Sequence, residues 1–155
     1  MTHQLNFIYN DSDWICPAEY PDLSKATEIA IDLETKDPNI KTKGPGWATF
    51  DGHIVGFAVA ALGQQWYFPI AHDAGGNMDL AITTAWMQDV LKTDATKIFH
   101  NASYDVGWLL VNGFEIRGKI VDTMVAAAII NENRFSFSLN ACAKDYLGEI
   151  KNETF

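Results

Sequence analysis

Hydrophobic and polar residues alternate along the segment 28–34, which reads E-I-A-I-D-L-E. A period of two is typical of a β-strand that buries one face and exposes the other. The apolar positions of this strand are Ile29, Ile31 and Leu33. The opposite face of the strand therefore carries Asp32 and Glu34 side by side.

Two further strands are predicted after a segment that is rich in glycine and proline. Residues 36–52 contain five such residues, and they predict a loop. The β-rich apolar runs 53–62 and 66–71 are joined by the turn residues 63–65. This arrangement predicts a β-hairpin.

Helical and strand patterns alternate in the second half of the chain. Apolar residues recur at helical spacing over residues 78–92, and Asp79 near the start of this segment suits the helix dipole. Further helices are predicted over 103–111, 123–130 and 138–147, and short strands over 97–100 and 120–121. A hairpin followed by alternating strands and helices predicts an α/β fold, in which helices cover a mixed sheet.

The composition fits one soluble domain. The chain has 155 residues, and no apolar run approaches the roughly 18 residues that a membrane span needs. The N-terminus carries no signal pattern, so we expect a cytoplasmic protein in which Cys16 and Cys142 are buried free thiols. Residues 1–27 lack a regular pattern and predict an N-terminal extension, which precedes a domain over 28–155.

The formal net charge of −9 restricts the possible partners. Lys and Arg that neutralise phosphates usually supply most of the affinity for nucleic acid. Two alternatives remain open. The chain either does not bind nucleic acid, or it binds through metal ions and receives its substrate from a partner domain.

Asp32 and Glu34 are the first candidate metal ligands. Two neighbouring carboxylates repel each other, and their burial is costly unless a cation compensates the charge. Mg²⁺ and Mn²⁺ prefer such oxygen ligands. The alternative is that both side chains face water on the open side of the sheet, and the pair alone does not decide between the two.

A third carboxylate lies where the fourth predicted strand runs into a helix. Residues 100–105 read H-N-A-S-Y-D, and such junctions often carry functional groups in α/β sheets. Asn101 and Asp105 are four residues apart, so they share a helix face if the helix begins near Asn101. We expect Asp105 at the edge of the core, where it can converge on Asp32 and Glu34.

Several strings resemble one family, and they occur in its order. The string IAIDLET at 29–35 resembles the first motif of the DEDD superfamily of 3′–5′ exonucleases, and KIFHNASYDVGWLL at 97–110 resembles the second. Further segments resemble the proofreading domain of family A DNA polymerases, the bacterial polymerase I type: 66–73, 121–130 and 138–148.

This resemblance implies a ribonuclease H-like fold, with a five-stranded mixed sheet and helices on both of its sides. It implies hydrolysis of the 3′-terminal phosphodiester of single-stranded DNA with two Mg²⁺ or Mn²⁺ ions. It also implies a polymerase domain as a partner in a longer chain.

The resemblance assigns a role to five residues. Asp32 would bridge both metal ions, and Glu34 would bind the ion that activates water. Asp105 would hold the second ion. Asn101 would position substrate, and the backbone of Thr35 would contact the terminal nucleotide.

The loop after the first motif carries a cluster of cationic residues with a nearby aromatic. Lys36, Lys41 and Lys43 precede Trp47. Such a loop suits a single strand, because lysines contact phosphates and an indole stacks on a base. The alternative is an ordinary solvated loop.

Three more polar residues near these motifs have structural interpretations. Asp122 is expected to cap the helix that begins at residue 123. His100 is expected to cap or pack at the end of its strand, and His72 is expected to be a solvated turn histidine.

The family uses one more Asp on a later helix, with a Tyr four residues before it or a His five residues before it. No such motif follows residues 138–148 in this sequence. We therefore expect a fragment of a longer polymerase that lacks the last catalytic helix; the alternative is a small protein that has lost catalysis. Either would be weak or inactive as a nuclease. Apolar surface that this helix would cover is then exposed and available for self-association.

Two rival functions remain at this point. One is an RNA-trimming enzyme of the ribonuclease D type, since the preferred sugar cannot be read from the sequence. The other is a non-catalytic module that binds a nucleic-acid end or a protein.

Overall fold

In the computed structural model, which describes residues 15–149, the chain forms one sheet with helices packed around it. The strands are β1 (Glu28–Lys36), β2 (His53–Ala61), β3 (Gln64–Pro69), β4 (Thr96–Phe99) and β5 (Ile120–Asp122). The helices are α1 (Ile40–Lys43), α2 (Gly46–Thr49), α3 (Leu80–Lys92), α4 (Ala102–Val111), α5 (Thr123–Ile130) and α6 (Leu139–Leu147).

The sheet has five strands in the order β3-β2-β1-β4-β5. The pairs β1–β2 and β2–β3 are antiparallel, whereas β1–β4 and β4–β5 are parallel. The predicted mixed sheet of five strands is therefore confirmed. Its central strand is β1, the strand that carries the first carboxylate pair.

The predicted element boundaries need small corrections. The loop 36–52 contains two single-turn helices, α1 and α2, which the glycine and proline content did not indicate. The hairpin turns at Leu62 and Gly63, whose φ angles of 54° and 75° match the left-handed turn that favours twisted hairpins. Helix α3 begins at residue 80, because the Asp79 side chain accepts a hydrogen bond from the Ile82 N–H and caps the first turn.

The hydrophobic core lies between one face of the sheet and helices α3 and α4. The apolar residues of β1 face this side, as their alternation predicts. The largest apolar side chains that are fully buried there are Ile29, Phe57, Phe68, Met87, Leu91, Phe99 and Leu109.

The described part of the predicted N-terminal extension packs into this core. Leu23 and Ala26 are buried, and the Tyr20 ring stacks on Phe68 with ring centroids 5.6 Å apart. The Trp86 indole donates to the Pro21 carbonyl at 3.1 Å. A domain boundary at residue 28 stays a prediction. Residues 1–14, for which the sequence predicts no signal peptide, lie outside the described residues.

Cys16 and Cys142 are both free thiols, as predicted; Cys142 is buried, whereas Cys16 is only half-buried, so the prediction that both are buried is wrong for Cys16. Within residues 15–149, none of the helices has the length and apolar character needed to cross a membrane.

Lys97 lies on the core side of β4 with no exposed surface. Its ammonium group donates to the carbonyl oxygens of Thr93, Ala95 and Arg117. Burial lowers the pKa of Lys97, and the nearby Asp94 charge acts in the opposite direction. Because the three carbonyls belong to the end of α3 and to the segment before β5, this one side chain joins three parts of the chain.

We expect the substitution Lys97→Met to lower the free energy of unfolding by about 3 kcal/mol, because buried carbonyl oxygens lose their donor while the side-chain length is kept. Chemical denaturation monitored by tryptophan fluorescence measures this change. Lys119→Met is the matched control, since the Lys119 side chain is exposed, and its effect should stay within about 0.5 kcal/mol. A loss below about 1 kcal/mol for Lys97→Met would contradict the structural role of the ammonium group.

Candidate functional site

The sheet face opposite the core forms a groove of about 1000 Å³. Its floor consists of small or apolar side chains of β1, β2 and β4, namely Ala30, Ala58, Ala60 and Ile98. Asp32 lies in the same groove, whose sides include residues of the segment before β1 and of α5 and α6. The groove therefore combines an apolar floor with two carboxylates, Asp32 on β1 and Glu19 on the segment before it.

Asp32 and Glu34 occupy the groove face of β1. Their strand partners on β2 are Ala58 and Gly56, which have little or no side chain. The predicted placement of both carboxylates on one face is confirmed, because the alternating burial along β1 leaves both of them exposed. This exposure agrees equally with the water-facing alternative, so the pair by itself still leaves that alternative open.

Strand β1 continues beyond the end of β4, and Asp105 occupies the place that β4 leaves. The parallel pairing of these strands stops at Ala30 and Ile98. Further along β1, the Leu33 N–H donates to Asp105 Oδ1 at 3.2 Å. The structure thus brings the buried Asp105 to the main chain of the residue between Asp32 and Glu34.

Burial, and after it the charge of Asp32, raise the pKa of Asp105 to about 7. The hydrogen bond from the Leu33 N–H acts in the opposite direction. Near neutral pH, ionisation of Asp105 would therefore place its negative charge close to the charge of Asp32. A divalent cation in this region would favour the ionised carboxylate and release its proton.

The turn that delivers Asp105 to β1 is held by Asp122. The Asp122 carboxylate accepts from the backbone N–H groups of Asn101 at 3.1 Å and Ala102 at 2.8 Å, and also caps α5 through the Met124 and Val125 N–H groups. Burial acts to raise the pKa of Asp122, but the four backbone donors together keep it below its usual value. The predicted N-cap is confirmed, and the same carboxylate also binds the start of α4.

Asn101 lies just outside α4, as its N-cap residue, with a left-handed φ of 68°. The Asn101 side chain accepts from the Ser103 hydroxyl at 3.2 Å. It does not share a helix face with Asp105, because α4 begins only at Ala102. The helix does begin next to Asn101, but the left-handed backbone of Asn101 keeps this residue outside the helical geometry that a shared face requires.

His100 packs at the end of β4, as expected. Its Nδ1 lies 2.9 Å from the Thr123 hydroxyl, and its Nε2 lies 2.9 Å from the Phe137 carbonyl oxygen. A carbonyl only accepts, so Nε2 is protonated and donates. His100 thereby connects β4 to the start of α5 and to the segment before α6.

The loop after β1 is held against α4 by Tyr104 and Asp37. The Tyr104 hydroxyl donates to Asp37 Oδ2 at 2.9 Å and lies 2.8 Å from the Thr35 hydroxyl. Asp37 Oδ2 also accepts from the Gly46 N–H at 2.8 Å. Thr35, a predicted substrate-binding residue, is thus connected to the helix that carries Asp105.

Trp47 packs on the same helix. A Cβ atom on Gly107 would lie 2.4 Å from Cε2 of the Trp47 indole, so the glycine provides the space for the ring. One side of the indole is therefore occupied by α4. A role of Trp47 in stacking on a base stays a prediction that this packing does not favour.

The three predicted cationic residues are exposed on the loop beside the site. Lys36 pairs with Asp73 at 2.8 Å, and Lys43 lies 3.8 Å from Asp51. Lys41 lies in α1, and the structure shows no ion pair for it within residues 15–149. Exposed pairs of this kind contribute little to stability, so phosphates can compete for these lysines.

Carboxylate oxygens are the donors that Mg²⁺ and Mn²⁺ prefer, so the donor chemistry of Asp32, Glu34 and Asp105 fits these ions. Within residues 15–149, however, no three His, Cys, Asp or Glu side chains lie close enough together to hold one metal ion. Asp105 is turned to the Leu33 N–H. Metal binding would thus require rotation of side chains, whereas the backbone positions of the carboxylates are already set.

A family model described as 3′-5′ exonuclease matches residues 20–154. The chain belongs to this 3′-5′ exonuclease family. The predicted exonuclease domain is confirmed at this level, and an exonuclease is a hydrolase of nucleic-acid phosphodiesters.

Two relatives of this exonuclease chain are phage DNA polymerases. The chain is 31% identical over 154 residues to a DNA-directed DNA polymerase of Pseudomonas phage M6, covering 95% of this chain and 23% of the relative. It is 29% identical over 132 residues to DNA polymerase DpoZ of Salmonella phage PMBT28, covering 84% of this chain and 19% of the relative. The exonuclease chain therefore spans less than a quarter of the length of these relatives.

Solved structures confirm the predicted ribonuclease H-like fold of the exonuclease chain. The catalytic core of RRP6 from Trypanosoma brucei matches with a TM-score of 0.62 at 20% identity, over 85% of this chain and 32% of that one. NrnC from Brucella melitensis, with bound Mg²⁺, matches with a TM-score of 0.61 at 17% identity, over 86% and 60%. Pol1 from M. smegmatis, in complex with a DNA primer-template and dNTP, matches with a TM-score of 0.60 at 19% identity, over 82% and 20%.

Some contacts of the exonuclease site had no sequence signal or only a weak one. The Asp37-Pro38 pair indicates a turn, but not the bond from Asp37 to Tyr104. Asp122 resembles an ordinary helix cap, and only the tertiary structure shows that it binds two helices. His72 was expected to be solvated, whereas its ring is half-buried and bonded to the Tyr67 hydroxyl.

We expect Asp122→Ala to lower the free energy of unfolding by about 2 to 3 kcal/mol, because two helix starts lose their acceptor together. Asp79→Ala, which removes the cap of α3 alone, is the matched control and should cost about 1 kcal/mol. Denaturant unfolding of both variants measures the difference. Equal losses would show that the contact of Asp122 with α4 contributes nothing.

We expect the pH dependence of stability to report the raised pKa of Asp105. Without metal, native Asp105 keeps its proton up to about pH 7, whereas the unfolded chain releases it near 3.8, so unfolding becomes easier as the pH rises from 4 to 7. The slope for one proton is at most about 1.4 kcal/mol per pH unit. Stability measured in EDTA should therefore fall with pH more steeply for the wild type than for Asp105→Asn.

The asparagine keeps an oxygen that accepts from the Leu33 N–H, so the fold is preserved in the variant Asp105→Asn. Asp89→Asn, at an exposed position, should retain the wild-type slope. Parallel curves for the wild type and Asp105→Asn between pH 4 and 7 would contradict a raised pKa.

Proposed function

We propose that this chain is the proofreading region of a DNA polymerase, and that it removes nucleotides from the single-stranded 3′ end of DNA. The observation that carries the proposal is the bond from the Leu33 N–H to Asp105. Because of it, three carboxylates from two distant motifs lie at one end of β1. The phage polymerase relatives support DNA as the substrate.

In this proposal, Asp32, Glu34 and Asp105 would hold two Mg²⁺ or Mn²⁺ ions, and Asp32 would contribute to the binding of both. The Mg²⁺ bound to the structurally similar Brucella NrnC supports this choice of ion. Such ions supply a nucleophilic water and stabilise the leaving 3′ oxygen. Glu34 would orient the attacking water, and Asp105 would be ionised in the loaded site.

The substrate contacts follow from the same geometry. The groove floor of alanines beside Asp32 leaves room for the terminal nucleotide. The backbone of Thr35 and the side chain of Asn101 border this end of the sheet and would contact that nucleotide. Lys36, Lys41 and Lys43 would neutralise phosphates further along the strand.

The negative charge of the chain agrees with this scheme. A chain with a net charge of −9 repels phosphates, so binding of a DNA strand has to rely on metal ions and on the lysine loop. The polymerase region of the longer relatives would then deliver the frayed end. Without metal, we expect the affinity for DNA to be low.

The helices near the C-terminal end of the described chain leave apolar side chains exposed. They include Val125, Ile129 and Ile130 of α5, the loop residue Phe135, and Leu139 and Leu147 of α6. An exposed apolar surface of this kind marks a contact site. We assign it to the polymerase region, and in the isolated chain to a second copy of itself.

RNA trimming is the second candidate function. Escherichia coli RNase D, an exoribonuclease, shares the fold with a TM-score of 0.61 at 16% identity over 85% of this chain. Since the polymerase relatives are more similar in sequence than RNase D, we favour DNA. A non-catalytic module that binds a nucleic-acid end is the third candidate.

Single-turnover trimming of a 5′-labelled single strand tests the proposed function. With Mn²⁺ and excess protein, we expect slow stepwise shortening of DNA from its 3′ end, in line with the weak activity expected from the sequence, and single-turnover conditions detect such slow chemistry. Asp32→Asn should slow this by at least about 100-fold, because a shared charge at the reacting phosphate is lost. Asp89→Asn, at an exposed position, should trim at the wild-type rate.

The outcomes separate the three candidates. Faster trimming of an RNA strand of the same sequence would favour the RNA-trimming enzyme. Metal-dependent binding of the DNA without shortening would favour the non-catalytic module. Equal trimming by the wild type and Asp32→Asn would show that the activity does not come from this site.

A further inference from the structure

On the groove face, the Tyr67 side chain occupies the space that a side chain at residue 56 would need. A Cβ atom on Gly56 would lie 2.1 Å from the Tyr67 hydroxyl oxygen, so that hydroxyl occupies the position of a side chain at residue 56. Gly56 is the direct strand partner of Glu34. Cβ atoms of such partners lie on the same face, about 4.5 to 5.5 Å apart. The Tyr67 hydroxyl therefore lies about one strand spacing from the base of the Glu34 side chain.

The Tyr67 hydroxyl is itself held in place. It forms a hydrogen bond with His72 Nε2, and the two rings meet edge to face with centroids 5.8 Å apart. The Asn77 side chain binds the main chain of His72 on both sides, with its Oδ1 2.7 Å from the His72 N and its Nδ2 2.9 Å from the His72 oxygen. The backbone of His72 is thus held by Asn77, and its imidazole in turn holds the Tyr67 hydroxyl.

The charge of Glu34 acts on this phenol. Burial, and after it the charge of the Glu34 carboxylate, raise the pKa of Tyr67 to about 12. An electrostatic interaction of this kind is expected when the Glu34 carboxylate lies on the same side of the sheet as the phenol. This agrees with the position that the Gly56 geometry gives.

We infer that Tyr67, held by His72, is a positioning residue for Glu34, and the inference rests on the proposed function. When His72 Nε2 donates to the phenol oxygen, the phenol proton is available to the Glu34 carboxylate. Glu34 is exposed, and a free glutamate side chain has up to about 2 kcal/mol of rotamer entropy to lose on binding. A donor beside it selects one orientation before the metal ion and the water arrive.

The affinity of the full chain for Mn²⁺, measured by electron paramagnetic resonance of the free ion, tests this inference without relying on activity. Tyr67→Phe keeps the ring and removes only the hydroxyl, so we expect about tenfold weaker binding, with a loss of stability no larger than that of the control Tyr20→Phe. His72→Ala should weaken binding in the same direction. In a Glu34→Gln background, Tyr67→Phe should have no further effect on Mn²⁺ affinity, because the carboxylate that the Tyr67 hydroxyl positions is no longer present.

Tyr20→Phe is the matched control. The Tyr20 hydroxyl lies 2.7 Å from the Thr83 hydroxyl, and its ring packs on Phe68 in the core. Its loss should lower stability and leave Mn²⁺ affinity unchanged. A purely structural role of Tyr67 would give the same result as this control.

The inference is wrong if Tyr67→Phe binds Mn²⁺ within twofold of the wild type, or if it weakens binding equally with and without Glu34→Gln. Failure of the proposed function has a different signature. If Asp32→Asn and Glu34→Gln both bind Mn²⁺ as the wild type does, the metal site is wrongly placed and both proposals are wrong. If these two variants lose binding and Tyr67→Phe does not, only the role of Tyr67 is wrong.

Discussion

The candidate site depends on one constraint, which is that β1 is longer than its neighbour β4. A strand that continues past its partner leaves backbone N–H groups without a ladder acceptor, and such groups need one when they are buried. Asp105 supplies that acceptor for Leu33. The requirement to satisfy a single backbone donor therefore brings a carboxylate from a motif about seventy residues later to the strand that carries Asp32 and Glu34.

The geometry of that contact is set by the turn between β4 and α4. Asn101 adopts a left-handed conformation there, which is tolerated by asparagine better than by most residues. Asp122, at the end of β5, binds the two N–H groups that the turn exposes. Adjacent parallel strands thus cooperate, because the residue that ends one strand holds the helix that follows the other. The direction in which α4 leaves the sheet, and with it the position of Asp105, follows from this arrangement.

The same contacts create an electrostatic cost that suits a nuclease of this family. Asp105 is buried near Asp32, and its raised pKa expresses the repulsion and the lost hydration. A fold selected for stability alone has no need of an acid at this position, since an amide also accepts a hydrogen bond. Oxygen donors that lie near each other in an acidic chain are suited to divalent cations, and bound cations would offset the repulsion between an acidic chain and a polyanion.

The sequence by itself determined the order of the strands and long helices, the face of β1 that carries two carboxylates, and the exonuclease family. These follow from periodicity and from short motifs, which are local properties. The tertiary structure alone decided that Lys97 is buried among carbonyls, that Asp122 serves two helices, that Trp47 packs on α4, and that Tyr67 occupies the space above Gly56. Each of these joins residues that are distant in the chain, and a sequence pattern contains no distance between segments until the sheet register has set it.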